Sequence, residues 1–252
     1  MKSIQLKTYC LRLADNSLIL GHRLSEWCGH GPVLEEDIAL SNMALDLVGQ
    51  SRGFYSYAAE LDGNGRSEDD YAFHRDAREY CNCMLVEQPN GDFGFTMIRS
   101  LLFSAFAYLN YRSLTKSSDE TISGLAEKSL KEVTYHFRHC SDWVIRLGNG
   151  TTESHNRVQS SLDELWSYTD ELFEMDEVNA KLISDGIAFD VNLLRAEWDQ
   201  LINEILQQAT LIPPSGNIYK SKGGIKGIHT EHLGFLLAEM QFLPRAYPGT
   251  KW

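Results

Sequence analysis

Lys131-Glu132-Val133-Thr134-Tyr135-His136 lies inside a stretch whose apolar residues, Leu125, Val133, Phe137, Cys140 and Trp143, recur at helical spacing. A glutamate followed three residues later by histidine presents oxygen and nitrogen to one metal ion from a single helix face, the unit from which di-iron four-helix bundles are built. Here the glutamate is present, and Tyr135 stands where the histidine is needed. The stretch therefore predicts a long bundle helix with half of a metal motif.

Working outward, Ser117-Ser118-Asp119 has the composition of a turn and N-cap opening this helix, which is predicted to run to Leu147. Leu147-Gly148-Asn149-Gly150-Thr151 then supplies the glycine and asparagine of a helix stop. Upstream, Ile98, Leu101, Leu102, Ala105, Phe106 and Leu109 stripe the helix that would pair with it. An earlier hairpin is predicted in the same way. Leu6, Tyr9, Leu13, Leu20, Leu24 and Trp27 mark its first helix, Gly29 to Pro32 the stop, and Leu34 to Leu61 a second helix with an unusually wide apolar arc. Such width implies burial on several sides. Glu68 to Val86 is predicted as one helix, Gln88-Pro89-Asn90-Gly91 as a break, and further helices near Asn156–Glu177, Asn192–Leu211 and His232–Ala246. Pro213-Pro214-Ser215-Gly216 opens an irregular segment through Gly227. All six prolines fall between or near the ends of these helices. The expectation is an all-α chain, a four-helix bundle with additional C-terminal helices, forming a single domain over residues 1–252.

The composition suits such a bundle: of 252 residues, 43% are hydrophobic and 23% charged. No stretch approaches the ~18 apolar residues of a membrane span, and the first thirteen residues lack a signal peptide's continuous apolar segment, which makes the cytoplasm the expected location. The formal charge of -12 argues against nucleic acid and anionic membranes as partners. Five cysteines (Cys10, Cys28, Cys81, Cys83 and Cys140) are an odd number, and Cys81-Asn82-Cys83 lacks the spacing of a zinc or thioredoxin motif. They read as reduced thiols.

Turn positions test the metal centre further, because residues equally distant from a hairpin turn lie side by side. Folding near Gly31 and Pro32 sets Asp46 opposite about Ser17, and folding near Ser117 sets Glu132 opposite about Phe103 or Ser104. A di-iron site needs one carboxylate from each of two helices and Glu-x-x-His from the other two. At those positions the chain has Asp46 with Gly49, Glu132 with Tyr135, and on the facing helices Ser17 and Ser104. Asp15 is near enough to substitute, although helical spacing points it away from the main apolar stripe. Asp46 and Glu132 each have a solvated reading and an inward one, and an inward carboxylate needs a partner.

Other clusters carry competing readings. His136 and His139 share a face with Glu132 and offer a candidate zinc site without an evident fourth ligand. His229-Thr230-Glu231-His232 sits where a glycine-rich loop enters a helix, with Thr230 or Glu231 as the expected cap. Structural or interface roles suit both better than metal binding. Lys220, Lys222 and Lys226 form the best local basic spot, read either as a solvated loop or as a contact for an anion. No Gly-x-Ser-x-Gly, phosphate loop or dinucleotide fingerprint occurs.

Segments spread in order along the chain are similar to the C subunit of bacterial phenylacetyl-CoA epoxidases, multicomponent oxygenases of phenylacetate degradation. They are Arg12-Leu13-Ala14-Asp15-Asn16, Glu26-Trp27-Cys28-Gly29-His30, Leu45-Asp46-Leu47-Val48-Gly49-Gln50, Val86-Glu87-Gln88-Pro89-Asn90-Gly91, Lys131-Glu132 with Tyr135-His136, and Leu147-Gly148-Asn149-Gly150-Thr151. His229-Thr230-Glu231-His232-Leu233-Gly234, Ala238-Glu239-Met240-Gln241, Pro248-Gly249 and Trp252 continue the series. The resemblance implies a ferritin-like fold and a non-catalytic structural subunit without a cofactor of its own. It further implies pairing with a related catalytic A subunit that carries the di-iron centre, together with smaller subunits and a reductase passing electrons from NADPH. The complex would epoxidise the ring of phenylacetyl-CoA with oxygen. In the pairing, Trp27, Phe54 and Tyr55 are candidate anchors, with core packing the alternative reading of each.

Three functions are thereby set against one another. The first is a metal-free scaffold whose Asp15, Asp46, Gly49, Ser104, Glu132 and Tyr135 mark a degenerate metal site. The second is an independent metal-binding oxidoreductase of the same fold, using Glu132, His136 or His139. The third is a module contacting CoA or a partner through Lys220, Lys222, Lys226, His229, Glu231 and His232.

Overall fold

The computed structural model describes residues 2–216 and 219–250, so Trp252 lies outside the described residues. Their regular elements are all helices, without a strand among the described residues, and no described helix is long and apolar enough to cross a membrane. The chain divides into two compact units, Met1–Pro89 with Gly223–Trp252, and Asn90–Lys222.

The first unit is built on a hairpin of α1 (Lys2–Ser25) and α2 (Leu34–Asp62). Leu13, Leu20 and Leu24 of α1 bury against α2, whose inner face carries Leu40, Met43, Leu47, Phe54 and Ala58. Gly21 permits the close approach, since a Cβ there would stand 3.2 Å from Leu47 Cβ and 3.3 Å from the Ala44 carbonyl. The register differs from the expected one by a turn: Ser17 Oγ meets Gln50 Oε1 at 3.5 Å, where Asp46 was expected. The chain does not reverse at Gly31. Turns donated from Trp27, Cys28 and His30 carry it onward before α2 begins, which moves each α1 residue against a later part of α2.

Glu68 to Val86 is not one helix. It contains α3 (Glu68–Phe73), a 3₁₀ turn at Ala77–Glu79 and α4 (Met84–Glu87). Two capping boxes, Ser67 with Asp70 and Asp76 with Glu79, start fresh turns. Between them and α4 the amides of Cys81 and Cys83 donate to the side chains of Asp15 (2.7 Å) and Asn16 (2.8 Å), so α1 supplies the acceptors that a helix ladder would otherwise provide. Two short C-terminal helices complete this unit.

The second unit is built on the hairpin of α5 (Phe93–Leu114) and α6 (Glu120–Gly148), with Asp119 capping α6 by accepting from the Ile122 amide at 3.0 Å. Ring pairs Phe93–Trp143 and Tyr108–Phe137 hold the two together. Buried residues make up 18 of the 22 in α5, including Ser100, Ser104 and Arg99. Gly148 ends α6 where it crosses close to Ala209, with no room for a side chain. There follow α7 (Thr152–Leu165), α8 (Glu177–Ser184) and α9 (Arg195–Gln208). The predicted helix Asn156–Glu177 stops at Leu165. Beyond it the 3₁₀ turns place Trp166 and Phe173 around the fully buried Trp198 of α9, whose indole donates to the Leu102 carbonyl at 3.1 Å. The α8 helix was not expected from periodicity. Back in the first unit, α10 (Glu231–Met240) and α11 (Phe242–Ala246) are separated at Gln241, where one helix to Ala246 was predicted. Gln241 turns inward there and donates to the Arg75 carbonyl at 2.9 Å.

Candidate functional site

The residues that the sequence offers as a degenerate metal site fall in both units. In the first, Asp15 lies off the main apolar stripe of α1, as helical spacing predicts, and is nevertheless completely buried. Stripe counting assumes one covered helix face. Here α1 is covered by α2 and again by the segment from Arg75 to Cys83. Asp15 accepts from the Tyr55 hydroxyl (2.5 Å), from both terminal nitrogens of Arg75 and from the Cys81 amide. Burial and the neighbouring Asp15 carboxylate hold the Tyr55 hydroxyl well above its ordinary pKa. Desolvation works to lower that of Arg75, but Asp15 outweighs it and raises it. The guanidinium also donates to the carbonyls of Tyr71 (Nε, 2.6 Å) and Glu79 (2.8 Å) and lies over the Tyr80 ring at 4.1 Å. With its oxygens so occupied, Asp15 serves as the counter-ion of a buried arginine. Asp46, one face away on α2, is half-buried, and Gly49 looks onto open space with nothing within 4 Å of a built Cβ.

In the second unit, Ser104 is buried and returns its hydroxyl to the Leu101 carbonyl at 3.3 Å. Glu132 is exposed in part on the helix flank, His139 is half-buried, His136 is buried, and Tyr135 is exposed. The Tyr135 ring packs against His136 and His139 with centroids at 6.2 and 5.7 Å, an aromatic cluster on the helix flank. Among the described residues no group of three or more His, Cys, Asp or Glu is placed to hold a metal ion. The residues present do not fit a di-iron centre. Neither position that needs imidazole has one, and Asp15 is already neutralised by Arg75.

The His229 cluster is organised around a residue that periodicity did not single out. Glu87, fully buried at the end of α4, accepts from Asn82 Nδ2 (2.8 Å), His229 Nδ1 (2.8 Å), the Thr230 amide (2.6 Å) and the Thr230 hydroxyl (2.8 Å). His229 Nε2 faces the Tyr80 carbonyl at 2.9 Å. A carbonyl only accepts, so Nε2 carries a proton. Three other donors already converge on the carboxylate, the environment of an ionised Glu87; with Glu87 ionised, Nδ1 donates to it as well and His229 is an imidazolium paired with it. Thr230 or Glu231 was expected to cap α10; Thr230 occupies the N-cap position, with its hydroxyl donated to Glu87 in place of a side-chain cap bond. Arg23 donates to the Glu87 carbonyl (3.1 and 2.8 Å) and the His232 carbonyl (3.2 Å), fastening the same corner. The sequence signal for both networks was polar residues set in apolar runs: Asp15-Asn16-Ser17 before Leu18-Ile19-Leu20, and Glu87 after Met84-Leu85-Val86.

The lysines separate. Lys220 pairs with Asp170 inside the second unit, where Arg195 also binds Asp170 at 2.8 Å; burial opposes ionisation of Asp170, but Lys220 and Arg195 hold its pKa below the ordinary value. Lys222 is exposed. Lys226, His229, Glu231 and Arg78 line an open cleft of about 650 Å³ in the first unit, with His232 half-buried nearby on α10.

Phe54 and Tyr55 are 0% and 1% exposed, so they serve the core and are not surface anchors, and Trp27 is half-buried. The exposed apolar residues of α2 are others: Leu34 at 72%, Ile38, Leu45 at 70% and Val48, spaced at four, seven and three residues. With Ser41 between Ile38 and Leu45 they follow the alternating four-three spacing of a helix-packing seam, about 21 Å long at 1.5 Å per residue. The wide arc of α2, expected to be buried on several sides, is in this chain two faces, one buried on α1 and one open to solvent.

Residues 1–252 match the family described as phenylacetic acid catabolic protein. Over 248 residues, 98% of this chain and 99% of the relative, the sequence is 48% identical to the C subunit of 1,2-phenylacetyl-CoA epoxidase from Escherichia coli (strain K12). An all-helical chain matched along its whole length in this way belongs to the phenylacetic acid catabolic protein family.

Proposed function

We propose that this chain is a non-catalytic structural subunit of a multicomponent di-iron oxygenase that epoxidises the ring of phenylacetyl-CoA, and that it pairs with a catalytic A subunit. The observation that carries the reading is the state of Asp15, whose oxygens are taken by Tyr55, Arg75 and the Cys81 amide, where a metal-bearing bundle needs them free. Gly49 and Tyr135 at the imidazole positions support it. In this reading the chain is one ferritin-like domain in the cytoplasm, iron and NADPH chemistry belong to the A subunit and the reductase, and the smaller subunits complete the assembly. The open face of α2 is the pairing face. Four exposed aliphatic side chains along one seam suit a long helix of a related bundle, because burying each removes apolar area from water.

Metal analysis of the purified chain, alone and co-expressed with its A subunit, tests the proposal. The isolated chain is expected to hold no stoichiometric iron and to co-elute with its partner, and Leu45→Lys is expected to abolish co-elution while leaving the fold intact. Iron near two per chain with oxidase activity would overturn the scaffold role in favour of an independent oxidoreductase. Co-elution that survives Leu45→Lys would remove α2 from the interface.

A further inference from the structure

Three Asn-Gly pairs occur in the chain, Asn64-Gly65, Asn90-Gly91 and Asn149-Gly150. Glycine leaves the backbone nitrogen after asparagine unshielded by a Cβ, so this nitrogen is the one best able to reach the asparagine side chain. What differs is how firmly each amide is held. Asn90 accepts from the buried Arg99 at 2.6 Å, and its carbonyl takes the Thr96 hydroxyl at 2.9 Å. Asn149 donates through Nδ2 to the carbonyls of Ile145 (3.0 Å) and Gln208 (2.6 Å), and the Gly150 amide donates to the Leu147 carbonyl at 3.3 Å.

Among the described residues, Asn64 has no partner outside its own turn. It lies in the link between α2 and α3, where residues 63 to 67 are all exposed, and Gly65 has φ +82° with nothing within 4 Å of a built Cβ. Its side-chain oxygen accepts from the Arg66 amide at 3.2 Å. That bond folds the side-chain carbonyl over the backbone that follows it and draws electron density from Cγ, the atom that the Gly65 nitrogen would attack. No described residue accepts from the Gly65 amide.

We propose that Asn64 is a site of spontaneous deamidation and isoaspartate formation, and that the fold protects Asn90 and Asn149. The Gly65 nitrogen forms a bond to Asn64 Cγ and loses its proton, and Nδ2 leaves as ammonia, closing a five-membered succinimide. Water then adds to one of the two ring carbonyls and breaks its bond to nitrogen, giving aspartate or the β-linked isoaspartate. Either product sets a new carboxylate at the C-terminal end of α2, where the helix dipole disfavours negative charge. Asp62, Glu68, Asp69 and Asp70 are close in sequence and add like charge. Isoaspartate also lengthens the main chain of the link by one carbon.

The test is peptide mapping of the intact chain aged at mildly alkaline pH, with isoaspartyl methyltransferase labelling, beside the same chain aged in urea and an Asn64→Gln variant. Folded, Asn64 is expected to convert about tenfold or more faster than Asn90 and Asn149, the factor set by one to two hydrogen bonds that must first break. In urea the three rates are expected to converge, and Asn64→Gln is expected to remove the dominant acidic form. Equal rates at the three sites in the folded chain, or conversion of Asn64 only in urea, would overturn the proposal.

Discussion

Asp15 and Glu132 are both carboxylates that the sequence offers as candidate metal-site residues, and the molecule treats them in opposite ways. Asp15 is sealed from solvent and holds Arg75, while Glu132 stays within reach of water on a flank with Tyr135 turned outward. The contrast shows two physical solutions to a carboxylate without a metal. A buried one requires a cation and donors in fixed geometry, because an unpaired buried charge is strongly disfavoured. One left partly exposed on a helix flank keeps its access to water. The first solution ties distant segments together, since Arg75 and Cys81 are about sixty residues from Asp15. The second is a local matter of one helix flank.

The largest expected effect therefore falls on Arg75. Replacing it by methionine leaves Asp15 buried without its cation and is expected to lower stability by about 3–5 kcal/mol in urea denaturation. The double variant Asp15→Asn with Arg75→Met should recover part of that loss. If the single variant unfolds like the native chain, Asp15 is solvated after all and the contrast with Glu132 collapses. Next comes His229→Gln, which removes the charged donor on Glu87 while Asn82 and Thr230 remain, for an expected loss of about 2–3 kcal/mol. Nitrogen NMR of His229 at neutral pH should show both ring nitrogens protonated, and a neutral tautomer would refute the assignment of imidazolium.

A third expectation concerns acid. Burial lowers the pKa of His22, on the last turn of α1, from 6.5 to about 4. Below pH 6.5 the unfolded chain binds a proton that the folded chain refuses, so stability is complete above 6.5, falls as pH drops and levels off below about 4. At pH 5 the loss amounts to about 2 kcal/mol. The measurement is the difference in urea midpoint between the native chain and His22→Gln across this window. A difference that does not change with pH would show that His22 protonates freely.

Much of the helical framework was legible because α1, α2, α5 and α6 each carry an apolar stripe, and Asp119 and Gly148 mark ends by local chemistry. Where the reading failed, the determinant was remote. The break inside Glu68–Val86 depends on acceptors at Asp15 and Asn16, and the end of α7 depends on Trp198. No local window contains those partners. The candidate site rests on residue types, Gly49 and Tyr135, that are visible in the sequence itself. The pairing of Arg75 with Asp15 was not legible, because nothing near Arg75 in sequence announces that it reaches α1. Phe54 and Tyr55 illustrate the same limit from the other side: an aromatic pair on a wide arc reads equally as anchor or core, and only the position of α1 decides.

The smallest effect is expected at Glu132, and it bears most directly on the contrast. A carboxylate within reach of water on a helix flank loses little on neutralisation, so Glu132→Gln should change stability by no more than about 0.5 kcal/mol and leave both iron content and co-elution with the A subunit unaltered. Asp15→Asn, by comparison, leaves Arg75 buried beside a neutral amide and should be destabilising by several times as much. A large loss at Glu132 would mean that the second unit also sequesters its carboxylate. A loss of bound iron there would mean that the residue is a ligand. A neutral result places Glu132 where its exposure puts it, as a carboxylate that water reaches, and leaves Asp15 as the position at which the bundle interior is held by charge.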